Sequence, residues 1–260
     1  MSSLSAIFRK ASGQNRGRSF LARAIGIAAC GAMAVFASNA LVRAQEIPAP
    51  PYLVNKNSTV ILGVSGDEER MKKLAPRGVK LAPGGTAIVI MYSGSDAYGL
   101  PAYTSSWLGL EVDGFDAPGG GKARMMVRGL YGPSSVATAL AKYFNYPTVE
   151  GSTRVERDGQ RVVAVGSVGA REWMRAELTL KSEPCSRGAG MVHEVTRNLP
   201  GDSMQLIKIP IIGDWCPAES AKFEINAPAS DPLGQLGPLK VLWGGYWMGA
   251  FGWSAPEIAR

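Results

Sequence analysis

Histidine is nearly missing from this sequence: among 260 residues there is one, His193, set beside Glu194 in a β-branched run. A single imidazole without further clustered ligands does not make a usual zinc site, so no metal is expected and His193 reads as structural. No G-x-S-x-G elbow is present to carry a serine hydrolase triad. Cysteine is also scarce, with Cys30, Cys185 and Cys216 and no Cys-x-x-Cys spacing, which removes the common redox and zinc motifs. The glycine-rich stretch Ala117–Lys122 ends in GGGK but lacks the first glycine and the Ser or Thr of a phosphate loop, so it reads as a hairpin connection. Nothing in the sequence asks for a cofactor.

Acidic residues are absent from the first 44 positions, which hold Arg9, Lys10, Arg16, Arg18, Arg23 and Arg43. The formal charge of +7 therefore belongs mostly to that segment, because the rest of the chain carries 22 Lys and Arg against 21 Asp and Glu. A nucleic-acid partner is not expected of so balanced a body. The segment itself has a basic start, an apolar run from Ala24 to Val42 and a small-residue site at Val42-Arg43-Ala44, the pattern of a signal peptide cut after Ala44. This predicts a periplasmic or secreted protein with no membrane contact after cleavage, exported by the Sec route or by the twin-arginine route that Arg16-Gly17-Arg18 resembles. A retained membrane anchor is the alternative. In an oxidising compartment Cys185 and Cys216 either pair as a disulfide or remain two buried thiols, and the compartment favours the bridge.

Residues 45–260 read as one domain. A proline-rich arm over 45–57 precedes a strand at 58–64, a short helix at 67–74 with acids first and lysines last, and a strand at 85–91. A polar loop is expected over 93–101. Strand patterns follow at 107–112 and 122–131, then at 152–156 and 161–167 around an Asp158-Gly159 hairpin turn. Residues 172–181 alternate Met174, Ala176, Leu178 and Leu180 with polar positions. After an irregular stretch over 182–190, strands are expected at 191–196, 204–212 and 222–226. A closing strand pair over 239–253 would pack its aromatics in the core. Many short strands with few helices predict an antiparallel, barrel-like α+β protein.

The stretch that organises the chain is GPSSVATALAKYFNYP, from Gly132 to Pro147. Ser134 or Ser135 is expected to cap a helix, Val136, Leu140 and Tyr143 or Phe144 recur at helical spacing, and Asn145 is the stop. Lys142 falls in the last turn. Read from the residues alone, it is a lysine that complements the helix dipole and snorkels past aromatic neighbours.

This stretch resembles the acetoacetate decarboxylase family, in which a helix ending in a Lys-Lys pair precedes a Gly-Tyr-Pro-type turn. The likeness continues in order through 67–91, PAYTSSW, NLPGDSMQLIKIP and DPLGQLGPLKVLWGGYWMGAFGW. The resemblance implies a cone-shaped, mainly antiparallel barrel and a lysine that forms a Schiff base with a substrate ketone. Lys142 takes that role here, with Tyr143 where the family has the second lysine and Ser105 where it has a glutamate. Ser105 would hydrogen-bond the substrate, while Tyr103 and Tyr143 shape the pocket. Asp96, Glu111 or Asp113 would stand in for the missing carboxylate.

An amine of pKa near 10.4 attacks a carbonyl only when burial or a neighbouring charge keeps it neutral. Two functions follow. One is a Schiff-base lyase, a decarboxylase or an aldolase or dehydratase, acting on a small keto acid. The other is a non-catalytic barrel that binds a small apolar or carbonyl-containing ligand. A homo-oligomer is compatible with either.

Overall fold

A computed structural model describes residues 46–197 and 203–259, excepting the side chains of Ser95 and Asp96. The leader expected over 1–44 lies outside the described residues.

The chain runs β1 (Tyr52–Ser65), α1 (Glu68–Leu74), β2 (Thr86–Tyr98), β3 (Tyr103–Val112), β4 (Ala123–Gly132) and α2 (Ser134–Phe144). Then come β5 (Thr148–Glu150), β6 (Ser152–Asp158), β7 (Arg161–Val168), β8 (Arg171–Leu180) and β9 (Ser186–Arg197). The last elements are β10 (Met204–Ile225), α3 (Pro232–Gln235), β11 (Lys240–Trp253) and β12 (Glu257–Ile258). Every strand expected from alternation is present, and several are longer.

The polar stretch after Met91 stays extended to Tyr98 because β1 pairs with it as far as Leu53 opposite Tyr98. The expected loop over 93–101 is thereby corrected to a strand with a short turn. The strands expected at 204–212 and 222–226 are one 22-residue strand. It pairs β9 and β11 with its first half and β8 with its second, changing register between Ala218 and Ser220. The expected closing pair over 239–253 is a single strand, β11, which bonds β1 along one edge and β10 along the other.

That double pairing makes the sheet a ring. Neighbours run β11, β1, β2, β3, β4, β9, β10 and return to β11. All but one of these contacts are long antiparallel ladders; β4 meets β9 through a single parallel register pair, Arg124 opposite Glu194. The strands thus circle an axis with one weak seam.

Outside the ring, β6, β7 and β8 extend from the second half of β10. They bury Val162, Ala164, Met174, Ala176 and Leu178 against Val60, Leu62, Val89 and Leu108 of the ring strands. A second core gathers Tyr52, Tyr92, Tyr103, Trp107, Tyr131, Phe144, Trp247, Phe251 and Trp253, together with the apolar face of α2. The two cores lie on opposite faces of the same strands, as period-two alternation requires.

Helix α2 starts differently from the sequence expectation. Its cap position is Pro133, in an extended conformation and with no side-chain hydrogen bond to the first turn, so neither Ser134 nor Ser135 serves. Its stop is as expected: Asn145 adopts the left-handed conformation (φ 54°, ψ 31°) and its N–H donates to the Ala141 carbonyl.

Candidate functional site

A cavity of about 300 Å³ lies within the ring. Alternate residues of the surrounding strands form its wall: Ile209, Ile211, Gly213 and Trp215 from β10, and Trp247, Phe251 and Trp253 from β11. Across from them stand Thr59 and Ile61 of β1, Ile90 and Tyr92 of β2, and Trp107 of β3. Four of the chain's six tryptophans therefore face one space. Room for the Trp247 indole depends on Gly213, where a Cβ would stand 2.4 Å from Trp247 Nε1 and from the Met248 carbonyl.

Depth is read along β9. Gly188 and Ala189 line the cavity from an exposed part of the strand, Val192 lies further in, and Glu194 is buried. Cys185, just before the exposed part, is joined to Cys216 on β10, with an S–S distance of 1.95 Å. The expected pair thus exists, and it ties the outer end of β9 to its neighbour.

The inner end is polar. Glu194 Oε2 accepts a hydrogen bond from the Tyr146 hydroxyl. Loss of water pushes the Glu194 carboxyl up to about 7, against the opposing pull of Tyr146 and Arg124. The Arg124 guanidinium also lines the cavity, and burial lowers its pKa. Its Nε is shut off from solvent without a hydrogen-bond partner.

Behind Tyr92 lies a set of buried hydroxyls: Tyr92 and Tyr103 share a hydrogen bond of 2.6 Å, and Tyr131 stacks on Tyr103. Burial raises all three phenols, as it does Tyr146, so they stay protonated. Ser105 is near enough to Tyr92 and Tyr131 to favour their ionised forms, yet its Oγ and the Tyr131 hydroxyl meet no partner of acceptable hydrogen-bond geometry.

Of the residues expected to form the site, Ser105 and Tyr103 come together here, one layer behind the cavity wall. Lys142 and Tyr143 do not join them. The Lys142 side chain is 55% exposed, and its Nζ lies 2.7 Å from Glu46 Oε1. Glu46 and the Tyr143 hydroxyl raise the lysine pKa rather than lower it. Tyr143 donates to the Ile47 carbonyl at 3.2 Å. The neutral, enclosed amine that imine chemistry requires is not the state of Lys142 in this arrangement.

Of the carboxylates expected as stand-ins, Glu111 and Asp113 do not line the cavity either. Glu111 is half-buried, and Asp113 is held by Lys122 and Lys80. The side chain of Asp96 lies outside the described residues. His193, expected to be structural, has its Nδ1 2.8 Å from the Phe115 carbonyl.

Sequence reasoning missed Arg124 and Glu194. Their signal was available: both are ionisable residues in strands that are otherwise deeply buried, an arrangement rarely kept without a use.

Fold and cavity together define a mainly antiparallel β protein whose strands ring an axis around an apolar cavity. The particular architecture is that of the acetoacetate decarboxylase-like enzymes. An acetoacetate decarboxylase from Legionella pneumophila superposes with a TM-score of 0.65 at 13% identity, over 83% of this chain and 89% of that one. An acetoacetate decarboxylase-like enzyme from Sphingomonas wittichii gives 0.65 at 14%, over 85% and 97%. The enduracididine biosynthesis enzyme MppR, solved in complex with pyruvate, gives 0.63 at 12%, over 84% and 94%. No protein-family model matches this sequence, and the search of curated proteins returns no match.

Proposed function

We propose that this protein is an exported small-molecule binder, which encloses a compact apolar or carbonyl-containing ligand in the ring cavity. The observation that carries the reading is the cavity itself: an aromatic and aliphatic wall with a few polar groups gathered at its inner end, the usual make-up of a ligand site. Export to an oxidising compartment is supported by the Cys185–Cys216 pair. No helix among the described residues is long and apolar enough to cross a membrane.

The finer reading, a Schiff-base lyase acting on a small keto acid, draws on the fold shared with MppR, which is solved with pyruvate. It asks that Lys142 lose Glu46, lose its proton and reach a bound carbonyl. Supporting the container over the lyase is the present state of that ammonium, exposed and ion-paired.

One experiment separates the two. Purified protein is incubated with pyruvate, acetoacetate or acetylacetone, reduced with borohydride and weighed intact; in parallel, ligand binding is followed by tryptophan fluorescence. The container predicts no adduct, and fluorescence titrations that are the same for wild type and Lys142→Ala. It also predicts loss of binding in Gly188→Leu, because a side chain at Gly188 meets nothing within 4 Å and would grow into the open cavity. An adduct that disappears in Lys142→Ala establishes the lyase instead.

A further inference from the structure

We propose that Arg124 and Glu194 form a proton-coupled carboxylate site: a small apolar monocarboxylate seats its anionic head on Arg124, and Glu194 takes up a proton from solvent as it does so. The proposal rests on the reading of the cavity as a ligand site and adds the class of ligand and its pH dependence.

The starting point is a cation in the wrong surroundings. Arg124 borders a cavity walled by tryptophan, phenylalanine and isoleucine, and its buried Nε has no hydrogen-bond partner; Glu111, its register partner on β3, and Glu194 favour its charge without bonding that nitrogen. A guanidinium removed from water is unfavourable unless an anion and hydrogen-bond acceptors replace what water supplied. Its planar fork of N–H donors matches a carboxylate in two parallel bonds. The apolar wall selects what is attached to that carboxylate: a ring or a short hydrocarbon chain.

Glu194 supplies the coupling. It is the residue opposite Arg124 across the single β4–β9 register pair, and in a parallel pair both side chains leave the same face of the sheet. The groups that face it are Arg124 of β4, Tyr146 after α2, Tyr92 of β2, Tyr103 of β3 and Tyr131 of β4. From β10 it meets the apolar Ile207 in register. Among the described residues Arg124 is therefore the one cation that favours the ionised form of Glu194, and the four phenols remain neutral.

A ligand carboxylate and the Glu194 carboxylate compete for the same positive charge. When the ligand takes it, the buried Glu194 loses its only cationic support and holds its proton. One negative charge enters with one proton, and the charge of the cavity is unchanged. Because free Glu194 is already poised near neutrality, this exchange falls within the physiological range.

Isothermal titration calorimetry with phenylacetate and its neutral counterpart phenylacetamide tests the proposal. Phenylacetate stays ionised throughout, since ordinary carboxylic acids titrate near pH ~4. Above pH 7 its affinity is expected to fall by up to about tenfold per pH unit. Uptake should approach one proton per site at pH 8, read from the difference between two buffers of unlike ionisation enthalpy. Phenylacetamide should bind with no pH dependence. Arg124→Met should weaken phenylacetate at least tenfold and leave phenylacetamide bound, which also shows that the variant is folded. Glu194→Gln should bind phenylacetate with its pH dependence gone.

Phenylacetamide binding without phenylacetate binding, or phenylacetate binding indifferent to pH or to Arg124→Met, overturns the carboxylate site while the cavity reading stands. Failure of both probes overturns the cavity reading and the site together.

Discussion

A carboxyl that has lost its water holds on to its proton, and Glu194, pushed up to about 7 by burial, is such a group. The folded state binds this proton more tightly than the unfolded chain, whose value is the ordinary 4.5. Stability from this group is complete below about 4.5 and is lost as pH rises through about 7. Glu194→Gln keeps an acceptor for Tyr146 and has nothing to ionise. Urea denaturation should find it equal to wild type near pH 4 and more stable at pH 8, by up to about 3 kcal/mol. Wild type and variant running parallel across that range would show that Glu194 titrates normally.

Lys142 teaches the opposite lesson at the same scale. It stands two positions from each of the buried Leu140 and Phe144, and two helical residues span about 200°. The periodicity that predicts α2 therefore already turns Lys142 away from its apolar face. Ser105 and Tyr103 come together because they stand two apart on β3 and so share one of its faces, although the alternation legible in the sequence began only at Trp107. Arg124 and Glu194 lie more than sixty residues apart in sequence and meet only across the seam, so no local pattern pairs them.

Among the elements, α2 depends on how it ends. Asn145 holds a left-handed conformation, which costs an ordinary residue about 1–2 kcal/mol and glycine very little. Thermal unfolding should therefore show Asn145→Ala destabilised by about 1 kcal/mol and Asn145→Gly close to wild type. Equal melting of all three would mean that the cap geometry contributes nothing. The helix was legible because an apolar stripe, a proline and an asparagine all marked it, whereas its uncapped start at Pro133 was not.

Strand lengths were less legible than strand positions. The segment 93–98 is polar enough to suggest a loop, and it is held extended by the ladder with β1 rather than by its own composition. Likewise β10 reads as two strands because its two halves serve different partners, β9 and β11 first and β8 afterwards.

For the molecule as a whole, one covalent link joins the outer end of the cavity wall to the sheet. Cys185 and Cys216 are 31 residues apart, and in the loop-entropy picture such a closure stabilises the fold by about 3–4 kcal/mol. Reduction, or replacement of both by serine, should lower the free energy of unfolding by that order. It should also weaken ligand binding, since Gly188 and Ala189 lose their anchor. Unchanged denaturation curves with and without reductant would show that ladder pairing alone holds β9.

The sequence by itself determined the antiparallel β character, the helices α1 and α2, the hairpins and the cysteines available to pair. Each depends on periodicity, capping or spacing within a few neighbouring residues or on simple counting. Only the tertiary structure decided that β11 closes the ring on both edges, that the late aromatics face a cavity, and that Arg124 and Glu194 share its inner end while Lys142 stays in water. Those outcomes depend on which distant strands become neighbours, and hydrogen-bond pairing between strands leaves no local trace in the order of residues.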